Sequence, residues 1–127
     1  MAKICTDKEQ SRWLIEHGLD PMTADMAWFP GKNQPTVLDS QLNERLISIG
    51  NFTPAWSFTR LMRFMPTRIN KGKFSIVRDA QEYTEIRYAT GRHKVSYAAS
   101  EPVDAAVPMM AYLLLYDLSK SHIPVSG

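Results

Sequence analysis

Cys5 is the residue best suited by type to nucleophilic chemistry. It stands just before a run that starts a helix, where the helix dipole lowers a thiol pKa and favours the reactive thiolate. A cysteine nucleophile also needs a base within hydrogen-bond reach. His17 falls at the far end of the same helix, about 18 Å away along its axis. His93 and His122 approach only through tertiary folding. A structural cysteine is the simpler reading. His17, Asp20 and Asp25 are the nearest approach to a metal-ligand group, but their spacing matches no ligand pattern. The chain has no H-x-x-x-H, no cysteine pair and no EF-hand loop. Asp7, Glu9 and Glu16, with Asp20 and Asp25, are carboxylates that general acid–base chemistry would need. A small hydrolase is therefore one function to weigh, although caps, dipole partners and solvated charges explain these acids more simply. The glycines form neither a Walker loop nor a dinucleotide fingerprint, and no G-x-S-x-G elbow occurs. No metal and no cofactor are expected.

Charge distribution gives the strongest functional signal. Residues 60–94 hold nine Lys/Arg and three acids, a balance of +6, whereas residues 1–59 and 95–127 each stand at −2. Arg60, Arg63, Arg68, Lys71 and Lys73 would meet several backbone phosphates if they shared one surface. Tyr83, Tyr88 and Tyr97 offer rings for base stacking, although Tyr88 and Tyr97 fall on the apolar face of their strands. The simpler alternative is a solvated sheet face with cross-strand ion pairs such as Glu85 with Lys94. Trp13 and Trp28 are candidate partner contacts, because an exposed tryptophan marks an interaction patch.

These residues must be carried by a small set of elements. Thr6 and Glu9 fit a capping box for a helix over about 7–17, and Gly18 fits its left-handed C-cap. Asp25 to Phe29 reads as a short strand or extended arm, and Pro30 to Pro35 as a loop. Residues 38–50 fit a helix better than a strand. Thr53 as N-cap and Pro54 as first helical residue open a second helix with an apolar stripe of Phe58, Leu61, Met62 and Met65, ended by Pro66. From Phe74 the apolar period changes to two, through Ile76, Ile86, Tyr88, Val95 and Tyr97. That pattern predicts a three-stranded antiparallel meander with one apolar face. A last helix from about Glu101 to Lys120, with Ser100 as N-cap, should kink or break near 104–108 because of Pro108. The fold class is α+β. An antiparallel sheet of three to five strands has helices packed on one face, in a single domain over 1–127.

The chain has 127 residues, 44% of them hydrophobic. That is enough to bury a core without metal or disulfides. One cysteine cannot form an internal disulfide, which excludes a secreted disulfide scaffold. The start has no signal-like apolar stretch, and the longest apolar run, Val107 to Tyr116, is about half a membrane span. A cytoplasmic protein with no membrane partner is expected. Cys5 to Ser11, Thr23-Ala24-Asp25-Met26 and Pro54-Ala55-Trp56-Ser57, with its helix ending Met65-Pro66, resemble a group of small hypothetical proteins of gut bacteria and their prophages or mobile elements. The resemblance extends to the strands and to a last helix beginning near Pro102-Val103-Asp104-Ala105. It implies a mobile-element accessory protein. The group has no assigned activity, so it assigns no site residues. The leading expectation is a non-enzymatic interaction protein whose partner is either another protein or a second copy of itself. The alternatives are a weak nucleic-acid binder and the small hydrolase.

Overall fold

Asp7, not Thr6, caps the first helix in the computed structural model, which describes residues 3–38, 52–69, 72–91 and 93–115. Helix α1 spans Lys8–Glu16. Asp7 Oδ1 accepts the Gln10 N–H at 2.8 Å, and Gln10 Oε1 accepts the Asp7 N–H at 3.1 Å. The capping box is therefore present, shifted by one residue from Thr6–Glu9. The reason lies in the core. Thr6 is fully buried, and its hydroxyl accepts the Trp56 N–H at 3.1 Å and meets Ser11 Oγ at 2.7 Å. Gly18 takes the expected left-handed conformation, φ 107°. The Leu19 N–H reaches the Leu14 carbonyl and the Gly18 N–H the Ile15 carbonyl, closing the helix in a Schellman motif. Leu14 and Leu19 are both fully buried, the apolar contact that goes with that motif.

Among the described residues seven strands form two sheets where one was expected. β1 (Met26–Trp28) lies between β2 (Thr36–Val37) and β3 (Thr53–Ala55). Thr53 and Pro54 therefore belong to a strand, not to the start of a helix. Among the described residues β3 is an edge strand, a place in a sheet where proline's missing N–H is tolerated. Ser57 caps helix α2 (Phe58–Phe64) instead, accepting the Arg60 N–H at 3.1 Å. Asp25, at the foot of β1, fixes that cap by accepting the Ser57 N–H at 2.8 Å and the Ser57 hydroxyl. Helix α2 stops before Pro66, with Met65 extended at ψ 123°, as a residue preceding proline must be.

The second sheet contains the expected meander. Its order is β4 (Arg68–Ile69), β5 (Gly72–Arg78), β6 (Thr84–Ala89) and β7 (Lys94–Ala99), all antiparallel. Registers Phe74↔Tyr88, Ile76↔Ile86, Ile86↔Tyr97 and Tyr88↔Val95 put the alternating apolar residues on one face. Helix α3 (Pro102–Leu115, as far as it is described) covers that face along β6 and β7, and α2 packs on α3. The helix starts at Pro102, one residue later than a Ser100 cap requires. It runs through Pro108 without the expected break. Val103, Ala106, Met109, Met110 and Leu113 are fully buried around it. Their burial offsets the roughly 3 kcal/mol that an interior proline costs. Residues 39–50, where a helix is expected, lie outside the described residues.

Ser57→Ala should lower stability by about 1–2 kcal/mol, the cost of a lost N-cap, in urea unfolding. Thr53→Val, in a strand, should change it by less than about 0.5 kcal/mol. A larger loss at Thr53 than at Ser57 would contradict the cap assignment.

Candidate functional site

Cys5 faces the interior. It is 2% exposed and forms an isolated antiparallel bridge with Ser57. Burial, with the negative charge of Asp25 adding to it, pushes the thiol pKa up to about 11. That is the reverse of thiolate activation, because position inside the fold outweighs nearness to the helix dipole.

The other acids and His17 are separately engaged. His17 Nδ1 lies 2.8 Å from the Trp13 carbonyl, and its ring packs edge-on against Trp13 at 4.6 Å. Asp20 Oδ1 accepts the Met22 N–H at 2.9 Å and caps a single 3₁₀ turn, Pro21–Thr23. Asp25 holds Ser57. Among the described residues no three His, Cys, Asp or Glu side chains are grouped to hold a metal ion. Asp7 and Glu9 line one shallow concavity, Glu9 and Glu16 another. Neither brings three of the five candidate carboxylates together.

The basic segment divides between elements. Register sets Arg68 directly opposite Lys73 on the sheet face away from α3. Arg87 and Lys94 share that face, since they lie in phase with Lys73 through Ala89. The expected Glu85–Lys94 pair is present at 3.6 Å, and Glu85 also meets Arg87 at 3.7 Å. One carboxylate thus offsets two of the four cations. Arg68 and Lys73 are exposed. Arg63 is exposed on α2, while Arg60 is half-buried with its Nε enclosed and lacking a hydrogen-bond partner. Lys71 lies outside the described residues. Of the tyrosines, Tyr83 is exposed, Tyr97 is half-buried, and Tyr88 is buried with its hydroxyl donating to the Pro66 carbonyl at 2.6 Å.

Trp13 is 40% exposed on α1. Trp28 is half-buried, and its Nε1 donates to the Thr6 carbonyl at 2.9 Å. Two further features gather residues that no local pattern singles out. The first is the outer side of β7. The Thr90 N–H to His93 carbonyl bond at 2.8 Å makes 90 and 93 a bonded pair. Alternation then turns the backbone of Val95, Tyr97 and Ala99 toward β6, and that of Ser96 and Ala98 outward. Among the described residues no strand pairs with that side. The second is a cleft of about 520 Å³ where the sheet end meets α3. Its residues span Ile69 to Tyr112, too far apart in sequence for spacing to join them.

Comparison with protein-family models, curated proteins and solved structures finds no match. No helix of the described residues is long and apolar enough to cross a membrane.

The Cys5 shift gives a pH dependence of definite sign. In the unfolded chain the thiol titrates near 9.0, and in the folded chain near 11. Between those values the unfolded state holds fewer protons, so stability falls as pH rises. Tyr88, pushed above its ordinary 10.0 by burial, acts in the same direction at higher pH. Denaturant midpoints should fall from pH 9 upward, and Cys5→Ala should remove the part of the slope between pH 9 and 10. An unchanged slope in that variant would rule out the buried thiol as its origin.

Proposed function

We propose that this chain is a non-enzymatic, cytoplasmic interaction protein, an accessory of mobile-element type, that pairs through the β7 edge of its four-stranded sheet with a second copy of itself. The observation that carries this reading is β7. It is six residues long and contains no proline. Lys94, at its very start, is its one charged residue, and the strand is bonded on one side alone among the described residues. Natural edges are commonly blunted by charge, proline, bulges or shortness, and an edge without these devices is a template for another strand. Antiparallel pairing of two such edges sets the two Lys94 side chains at opposite ends. Parallel pairing would stack lysine on lysine, which is unfavourable. The resemblance to mobile-element proteins supports the accessory role, and the exposed Trp13 supports a surface built for contact.

Sedimentation equilibrium of the full chain should show a concentration-dependent dimer. Ala98→Pro should abolish it, because the Ala98 N–H points away from β6 and its loss leaves the internal ladder whole. A wild-type chain that stays monomeric at high concentration would remove the self-pairing reading.

A second reading, a weak nucleic-acid binder, is favoured by the exposed Arg68–Lys73 cross-strand pair on the sheet face away from α3. It calls for anisotropy measurements with labelled single- and double-stranded DNA and RNA. Binding at low salt should fall steeply as salt is added, and the double reversal Arg68→Glu, Lys73→Glu should weaken it about tenfold or more. Equal binding by that variant would exclude this face.

A further inference from the structure

We infer that the cleft at the end of the four-stranded sheet is a binding site for a small aromatic carboxylate. At about 520 Å³ it falls within the size range of small-molecule sites. All four strands of the larger sheet and α3 contribute to it. Ile69 and Tyr88, both buried, line it, while Val95 and Tyr112 are half-buried and supply apolar and aromatic contact. Gly72 forms part of the wall. A Cβ there would come within 3.2 Å of the Ile69 carbonyl oxygen, so glycine lets β4 fold tightly back on β5.

The polar groups gather at one rim. Thr90 and His93 close the β6–β7 hairpin there. Thr90 Oγ1 accepts the His93 N–H at 3.2 Å, which leaves the hydroxyl proton to donate. His93 is exposed and brings an imidazole N–H. Two donors beside an apolar and aromatic wall match a planar apolar body ending in an acceptor group. Lys94 also lines the cleft, but its ammonium is held by Glu85 at 3.6 Å on the other face of the sheet. Among the described residues the carboxylate is therefore met by hydrogen-bond donors more than by an ion pair, and the affinity that they supply should depend little on salt. That separates this site from the phosphate-type contacts of the sheet face, whose binding falls steeply with salt.

The probe is 1-naphthoate, titrated into the full ¹⁵N-labelled chain and followed by two-dimensional NMR, with the neutral 1-naphthalenemethanol in parallel. Saturable shifts at Gly72, Thr90, His93, Val95 and Tyr112 are expected with naphthoate, and binding about tenfold weaker with the neutral compound. Thr90→Val, close to isosteric, and His93→Ala should each weaken naphthoate about tenfold. Val95→Trp should fill the cleft and abolish binding. If that variant fails to fold, the two rim variants carry the test. Absence of saturable shifts up to the solubility limit, shifts centred elsewhere, equal affinity for the two compounds, or rim variants that bind as wild type would each overturn the inference.

Discussion

The junction of Thr6 with Trp56 is the contact on which the rest of the structure hangs. The two backbones exchange a bond, Thr6 N–H to the Trp56 carbonyl at 2.9 Å, and the Trp56 N–H returns to the Thr6 hydroxyl. Ser11 donates its one hydroxyl proton to the Asp7 carbonyl at 2.7 Å, so the Thr6 hydroxyl must donate to Ser11 Oγ. The Trp56 indole is fully buried, and its Nε1 donates to Thr23 Oγ1 at 3.0 Å. The Thr6 carbonyl also receives the Trp28 indole. Through these bonds the N-terminal arm, α1, the 3₁₀ turn, β1 and the entry to α2 meet at one point. Buried polar groups of this kind are costly when unpaired and specifying when all are paired. Here they fix which residues are free to cap helices and which are not.

A second clamp fastens the same arm to α3. Lys3 donates from its backbone N–H to Glu101 at 3.0 Å and from its ammonium to Asp104 at 2.7 Å and Asp7 at 3.2 Å. Burial alone would lower the Lys3 pKa, but the hydrogen bonds to Asp104 and Asp7 outweigh it and hold the ammonium above the ordinary lysine value. Burial likewise would raise the Asp104 pKa, and the bonds from Lys3 and Gln10 reverse it. The start of α3 is thus tied to the cap of α1. The helix that covers the larger sheet is seated by the same residues that begin the chain.

What the sequence made legible follows from the range of the interactions involved. The meander was readable because strand alternation is local, and Phe74, Ile76, Ile86, Tyr88, Val95 and Tyr97 all fall on the expected face. Gly18 was readable because its left-handed φ is a local demand. The caps were not. Thr6 with Glu9 and Asp7 with Gln10 both satisfy a capping pattern, and a tryptophan fifty residues away decides between them by drawing Thr6 inside. Thr53 and Ser57 are both acceptable caps, and Asp25 decides for Ser57. Of the smaller sheet, β1 falls within the short strand expected over Asp25 to Phe29, whereas β2 and β3 escaped notice because strands of two and three residues carry too little pattern to read. The cleft escaped for a stronger reason. Its walls come from five elements, and no periodicity links Ile69, Thr90 and Tyr112.

The two candidate surfaces meet on one strand, and strand geometry explains how β7 would serve both proposals. Val95 gives its backbone to β6 and its side chain to the cleft, while Ser96 and Ala98 turn their backbone groups to the outer edge. Edge pairing therefore uses main-chain groups that the cleft does not, and the cleft uses side chains that the edge does not. The shared part is the β6–β7 hairpin itself, closed by the Thr90–His93 bonds. Lys94 stands where the two surfaces join, lining the cleft while its ammonium reaches Glu85 across the strands. The apolar pattern that made the meander legible thus fixes one face of β7. The edge that is unpaired among the described residues, which no side-chain pattern encodes, is where the proposed pairing would extend the fold.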